Sequence, residues 1–306
     1  MVRYFFILLA MLVFSFPAFA DQLIVEPDMG REPIFKAIQQ ANYSIDLVMY
    51  GLTDRQLLAS LLQQKSKGLT VKIILEQTPY KAEGENTRAI NAFHQYHIDW
   101  QGDIPRFKLI HQKTLIIDDK EAIVMTFNFT HSAFQHDRNF GLIIDNPKQV
   151  KEIANTFSAD WNHQVIHHSG TDLIWSPDNS REQLSNLLSH AKESIDMYAQ
   201  DIKDYRLIGS LAKAARKGIK VNILTSTNLQ SKQFDYLRRA GVNIRHSEPY
   251  YIHAKVFIID QQKAILGSIN LTSASLDENR ELSIITRDKS IIQQLLSVFA
   301  NDWNNS

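Results

Sequence analysis

Two stretches of the chain set a histidine, a lysine, an aspartate and an asparagine at the same spacing. His111, Lys113, Asp118 and Asn128 stand in HQKTLIIDDKEAIVMTFN, and His253, Lys255, Asp260 and Asn270 stand in HAKVFIIDQQKAILGSIN. The apolar residues between them alternate with the period of a strand, which places each His and the Lys two residues on upon one face. An imidazole can attack phosphorus or donate a proton to a leaving oxygen, and an ammonium beside it holds the anion. Two such sets suit a phosphodiester, because in-line displacement needs a nucleophile on one side of phosphorus and a proton donor on the other. The expected route is a covalent phosphohistidine resolved by a second acceptor. Lys113, Lys255, Asn128 and Asn270 are expected around the non-bridging oxygens, holding them more tightly as charge builds. The lysines then do the electrostatic work that metal ions do in other phosphodiesterases, so no metal or cofactor is expected. Asp118 and Asp260 lie an odd number of residues from their lysines, on the opposite face, and are expected to make structural hydrogen bonds.

The elements that must position these residues are themselves repeated. Ser44-Ile45-Asp46 returns as Ser194-Ile195-Asp196 and Gly68 as Gly218, an offset of 150. From the first His onward the offset is 142, through Arg138 and Arg280 to Asp160-Trp161-Asn162 and Asp302-Trp303-Asn304. The eight extra residues of the first copy are assigned to the polar stretch Lys81 to Asn91. Strand-like SIDLVMY, a helical stretch from Asp54 to Lys67 and strand-like TVKIIL make a β-α-β pattern. The expected fold is α/β: two similar halves, each a mixed, largely parallel central sheet flanked by helices, related by a pseudo-two-fold axis. The halves are drawn at residues 21–168 and 169–306, with one active site between them. Arg138 and Arg280 either brace the phosphate loop or make ion pairs. His163, His167 and His168, near the join, read as a solvated loop rather than a metal site.

At this point the residues resemble the phospholipase D superfamily, whose paired signature is H-x-K-x4-D followed by G-S-x-N. The second copy carries all of it, with Gly267-Ser268 before Asn270. The first has Met125-Thr126 in place of Gly-Ser, which suggests looser backbone packing there. The resemblance implies phosphate binding by Ser268 and Thr126. It also implies a carboxylate 28 residues after each His to orient the ring, a place filled by Glu281 for His253 and by Asn139 for His111. On that reading His253, with a charged partner, is the acid and then the base. His111, with an uncharged partner, is the nucleophile, which is also the family's usual assignment to the first copy.

Composition bounds the partners. Thirty-three basic residues balance thirty-three acidic ones, so global charge gives a nucleic-acid reading no support. There is no cysteine, which excludes thiol chemistry and thiolate metal sites. Residues 1–20 have Arg3, an uncharged apolar run and Ala18-Phe19-Ala20, and read as a secretory signal giving a periplasmic or secreted product; an uncleaved membrane anchor is the alternative. The leading expectation is an exported phospholipase D-type hydrolase of phospholipid head groups, with peripheral membrane contact and no obligate protein partner. The alternatives are an endonuclease using the same two histidines and a cardiolipin synthase-like transphosphatidylase. An inert binding protein is disfavoured by the intact His and Lys pairs.

Overall fold

A computed structural model describes residues 21–168 and 170–306. The expected signal segment, residues 1–20, lies outside the described residues. The first half runs β1 (Gln22–Glu26), α1 (Glu32–Gln40), β2 (Ser44–Met49), α2 (Arg55–Ser66), β3 (Thr70–Leu75), α3 (Thr87–Tyr96), β4 (Asp99–Gln101), β5 (Thr114–Ile117), β6 (Glu121–Met125), β7 (Asp137–Ile144) and α4 (Pro147–Trp161). The second half runs β8 (Leu173–Ser176), α5 (Ser180–Ser189), β9 (Ser194–Ala199), α6 (Tyr205–Arg216), β10 (Lys220–Thr225), α7 (Lys232–Arg239), β11 (Asn243–His246), β12 (Tyr251–Ile252), β13 (Lys255–Ile259), β14 (Lys263–Gly267), α8 (Ser273–Asp277), β15 (Glu281–Thr286) and α9 (Lys289–Asn304).

Each half builds one mixed sheet, in the order β1-β7-β6-β5-β2-β3-β4 and β11-β10-β9-β13-β14-β15-β8. Within each half, parallel pairing is confined to the β-α-β part, β3 with β2 and β4, and β10 with β9 and β11. The stretches that follow the histidines form antiparallel hairpins, so antiparallel pairs outnumber parallel ones and the sheets are not largely parallel. The cause is local. Asp118 and Asp119, like Asp260 and Gln261, take positive φ in a turn too short for a crossover. Five of the eight extra residues of the first half lie in its longer loop before α3, residues 76–86 against 226–231 before α7, and the rest lie farther along, before His111.

The strands alternate as the period-2 pattern requires. Ile116, Val124 and Leu142 of the first sheet and Val256, Ile258 and Leu266 of the second meet α4 and α9 in a central core. Their neighbours Leu115, Ile117, Phe257 and Ile259 face outward, under α1–α3 on one side and α5–α7 on the other. The repeat extends to helix caps. Asp54 accepts from the amides of Gln56 and Leu57, and Asp204 from those of Arg206 and Leu207, which satisfies otherwise orphaned first-turn donors.

Candidate active site

The segments carrying the histidines leave their own sheets and pair with the other half. β12, just before His253, runs parallel to β7, with Ile252 opposite Arg138; Ile110 makes the equivalent bridge to Arg280. The His111 amide donates to the Arg280 carbonyl at 3.0 Å, and the His253 amide donates to the Arg138 carbonyl at 3.3 Å. One residue upstream, the Ile110 amide donates to the Glu76 carboxylate at 2.7 Å and the Ile252 amide to the Ser226 hydroxyl at 2.7 Å. Different side chains at equivalent places thus fix the entry to each site.

This crossing exchanges the partners of the two rings. His111 Nδ1 donates to Glu281 Oε2 at 2.8 Å, and His253 Nδ1 donates to Asn139 Oδ1 at 2.9 Å. Each histidine is therefore oriented from the opposite half, and the expected pairing of Glu281 with His253 and Asn139 with His111 is corrected. The separation of 28 residues is right, but it spans a hairpin whose last strand lies beside the other half. Glu281 is fully buried, also accepts from Asn279 Nδ2 at 3.2 Å, and stays ionised because His111 and Lys113 outweigh its burial. Both imidazoles lie below their usual pKa. Burial is the main cause for each. Glu281 opposes it at His111, whereas at His253 the nearby Lys255 and Lys113 add to it.

The two lysines are almost wholly enclosed. Lys113 Nζ donates to the His111 carbonyl and Lys255 Nζ to the His253 carbonyl, each at 2.6 Å. Burial lowers Lys113 well below its ordinary value and brings Lys255 down to about 7, Glu281 pulling the other way in both. A phosphodiester monoanion is the compensating charge such a site lacks. The sign for Lys255 follows: its ammonium fades as pH rises through about 7 in the free site, so phosphodiester affinity falls on going alkaline. Calorimetric titration with a dialkyl phosphate between about pH 6 and pH 8 should show that loss, and Lys255→Arg, which holds its proton, should flatten it.

The asparagines and hydroxyls divide. The side-chain oxygens of Asn128 and Asn270 are buried without a protein partner. Thr126 and Ser268 do not face substrate. Both are fully buried: the Thr126 hydroxyl donates to Asn139 Oδ1 at 2.8 Å, and the Ser268 hydroxyl donates to the Leu282 carbonyl at 3.3 Å. They support the strands that carry the ring partners, which corrects the expectation that they bind phosphate. Met125 does not loosen the backbone either; it is fully buried, with its Cγ 3.4 Å from where a Cβ on the facing Gly141 would stand. At Gly267 a Cβ would strike the Leu282 carbonyl and Ser283, so glycine is required there.

Asp118 accepts the amides of Asn42, Tyr43 and Ser44, and Asp260 those of Lys192, Glu193 and Ser194, away from the cleft. Arg138 and Arg280 form buried ion pairs across the halves, with Asp302 and Asp160 respectively, each at 2.7 Å. His168 is not solvated as expected. Its side chain is enclosed, stacked on Trp175, and paired with Asp178 at 2.7 Å. Among the described residues no group of three or more His, Cys, Asp or Glu side chains is arranged to hold a metal ion, and no helix is long and apolar enough to cross a membrane.

Tyr50 is the site residue that sequence reasoning missed. Its ring meets His111 edge-on at 4.9 Å and lies 5.1 Å from Lys113 Nζ, and its hydroxyl accepts the Tyr80 amide at 2.7 Å. The counterpart of Tyr50 at the offset of 150 is Gln200, so the repeat gave no signal for it. The site as a whole holds two imidazoles tethered through Nδ1, two enclosed lysines and one ionised carboxylate. That set can transfer a phosphoryl group between oxygen acceptors through nitrogen.

Comparison with known proteins agrees with this geometry. A family model described as "Cardiolipin synthase, PLD-like domain" matches residues 34–161 and 184–303. Cardiolipin synthase B of Salmonella typhi is 25% identical over 90% of this chain and 78% of its own length. Cardiolipin synthase 2 of Staphylococcus epidermidis is 28% identical over 64% of this chain, which spans only 48% of that protein. A phospholipase D of Rickettsia felis is 30% identical over 53% of this chain and 87% of its own length. In fold, phosphatidylserine synthase of Haemophilus influenzae superposes with a TM-score of 0.71 at 13% identity, covering 93% of this chain and 85% of the other.

Proposed function

The chain belongs to the phospholipase D-like family, and from that premise we propose that it transfers a phosphatidyl group from a phospholipid to an alcohol, as a cardiolipin synthase does. One observation carries the chemistry: each imidazole is held through Nδ1 by a side chain of the other half, leaving both Nε2 atoms for one shared phosphodiester. The lipid substrate and alcohol acceptor rest on the relatives named as cardiolipin synthases, one of which this chain covers over 78% of its length.

His111 is the nucleophile in this reading. When its Nε2 bonds to phosphorus the ring becomes cationic, and Glu281 at 2.8 Å compensates that charge. A cation held covalently on His253 would face only the neutral Asn139. The P–O bond to the head group breaks as the P–N bond forms, and the leaving alkoxide takes the Nε2 proton of His253, whose ring is cationic once the phosphodiester anion is bound beside it. The acceptor hydroxyl then returns a proton to His253, its oxygen bonds to phosphorus, and the P–N bond breaks to restore His111. Lys113, Lys255 and the amides of Asn128 and Asn270 hold the non-bridging oxygens throughout.

The test is product partition. Phosphatidylglycerol vesicles with EDTA present should yield diphosphatidylglycerol and glycerol, with phosphatidic acid as the minor product. Phosphatidic acid alone, at any acceptor concentration, would make the enzyme a hydrolase. Cleavage of DNA or RNA with no lipid turnover would overturn the substrate class while keeping the mechanism. We also propose export through residues 1–20. N-terminal sequencing of protein from the periplasm or medium should begin at Asp21, and a cytoplasmic protein beginning at Met1 would refute this.

A further inference from the structure

The two halves differ at the ring partners, Asn139 in one and Glu281 in the other, and the adjacent strands differ in the complementary sense. Across the β1–β7 ladder Glu26 stands opposite Asn139, and across the β8–β15 ladder Ser176 stands opposite Glu281. Each half therefore has one carboxyl in this cross-strand pair, on the inner strand in the second half and on the outer strand in the first. A neighbouring pair shows the same exchange. Met125 faces Gly141 in the first half, and Gly267 faces Ser283 in the second, so the small residue has moved across the ladder.

Glu26 is fully buried, and apart from the Gly30 amide nothing donates to its carboxyl oxygens. The side chain it faces has the matching deficit: Asn139 Nδ2 is buried with no acceptor, while Asn139 Oδ1 is taken by His253 and Thr126. Side chains directly opposed on antiparallel strands share a face, with Cβ atoms about 4.5–5.5 Å apart, within reach of a carboxyl and an amide. An unpaired buried donor and a buried carboxyl with spare acceptor capacity are each costly alone and satisfy one another when joined.

We propose that Glu26 is the positioning residue for His253, accepting a hydrogen bond from Asn139 Nδ2 and thereby holding Asn139 Oδ1 on the His253 Nδ1–H. It supplies the carboxyl group that the first repeat lacks on β7, acting through the amide instead of touching the ring. The inference rests on the reading of His253 as the proton carrier. Burial pushes the Glu26 carboxyl up to about 8; the Gly30 amide and the Arg31 and Arg138 guanidiniums pull it down, and Asp28 pushes it up. A hydrogen bond accepted from Asn139 relieves that burial.

The test rewrites the first-half pair as the second-half pair. The full mature chain is compared as wild type, Glu26→Ser, and Glu26→Ser with Asn139→Glu, which reproduces the Ser176–Glu281 arrangement. Two readouts are taken: ring-nitrogen NMR of His253 with His111 as internal reference, and turnover of a phosphodiester. Glu26→Ser should turn the single Nδ1–H tautomer of His253 into a mixture, leave His111 unmoved, and lower kcat roughly tenfold or more with KM unchanged. The double variant should restore the single tautomer and most of kcat. The proposal is overturned if Glu26→Ser leaves the His253 spectrum unchanged, or if the double variant is no better folded, no more uniform in tautomer and no faster than the single. Because the ring spectrum needs no substrate, it judges Glu26 even if the proposed lipid activity proves wrong.

Discussion

His253→Ala should release one burst of p-nitrophenol per enzyme molecule from a p-nitrophenyl phosphodiester and then stall, whereas His111→Ala should release none. The two rings differ in what they do at phosphorus, and an activated leaving group separates those roles. p-Nitrophenoxide departs without a proton, so the first step survives loss of His253; the covalent intermediate then waits, because no base activates the acceptor. With a natural alkyl leaving group both variants should be dead, His253→Ala by roughly 10²–10⁴-fold from the lost acid–base term alone. His111→Ala loses the covalent route itself. Stopped-flow absorbance measures the burst. A burst from His111→Ala and none from His253→Ala would exchange the roles and leave Glu281 serving the acid.

Arg138→Met should be the most destabilising single change at the interface of the halves. Arg138 and Asp302 are both 2% exposed, with Nε 2.7 Å from Oδ2 and Nη2 donating to Oδ1 at 3.0 Å. Asp302 also accepts from the Tyr198 hydroxyl at 2.7 Å, and Arg138 donates to the Glu26 carbonyl at 2.9 Å. Removing the guanidinium strands a buried carboxylate, which costs about 3–5 kcal/mol. Replacing both charges is milder than leaving one, so Arg138→Met with Asp302→Asn should regain part of the loss. Denaturant melts of the three variants measure this. Equal stability of Arg138→Met and wild type would mean that the pair does not bind the halves together.

Much of the site was legible because the repeat writes it twice. His111, Lys113, His253 and Lys255 come together where the halves meet, as the repeat implied; strand alternation is not what places them, since His111 and Lys113 precede β5 and His253 precedes β13. Asp118 and Asp260 accept backbone amides, as their odd spacing from the lysines implied. The ring partners were found by number but paired with the wrong histidine. Sequence distance cannot tell whether β7 and β15 lie beside their own half or the other; the bridges of Ile110 to Arg280 and Ile252 to Arg138 decide it. The excess of antiparallel pairing was readable, since the turn at Asp118-Asp119 is too short for anything but a hairpin. Tyr50 was not readable, having no counterpart in the second half. Nor were the exchanges of Glu26 with Asn139 and Met125 with Gly141, since each compensating residue lies on a different strand.

The central claim is a covalent intermediate on His111 at a site made by both halves. The direct measurement is peptide mapping by mass spectrometry of the His253→Ala variant, quenched in base after reaction with a p-nitrophenyl phosphodiester. The expected result is one substrate-derived phosphoryl adduct, stable in base and lost in acid, on the peptide containing His111. An adduct on any other side chain, or a completed burst with no adduct at all, would contradict the account.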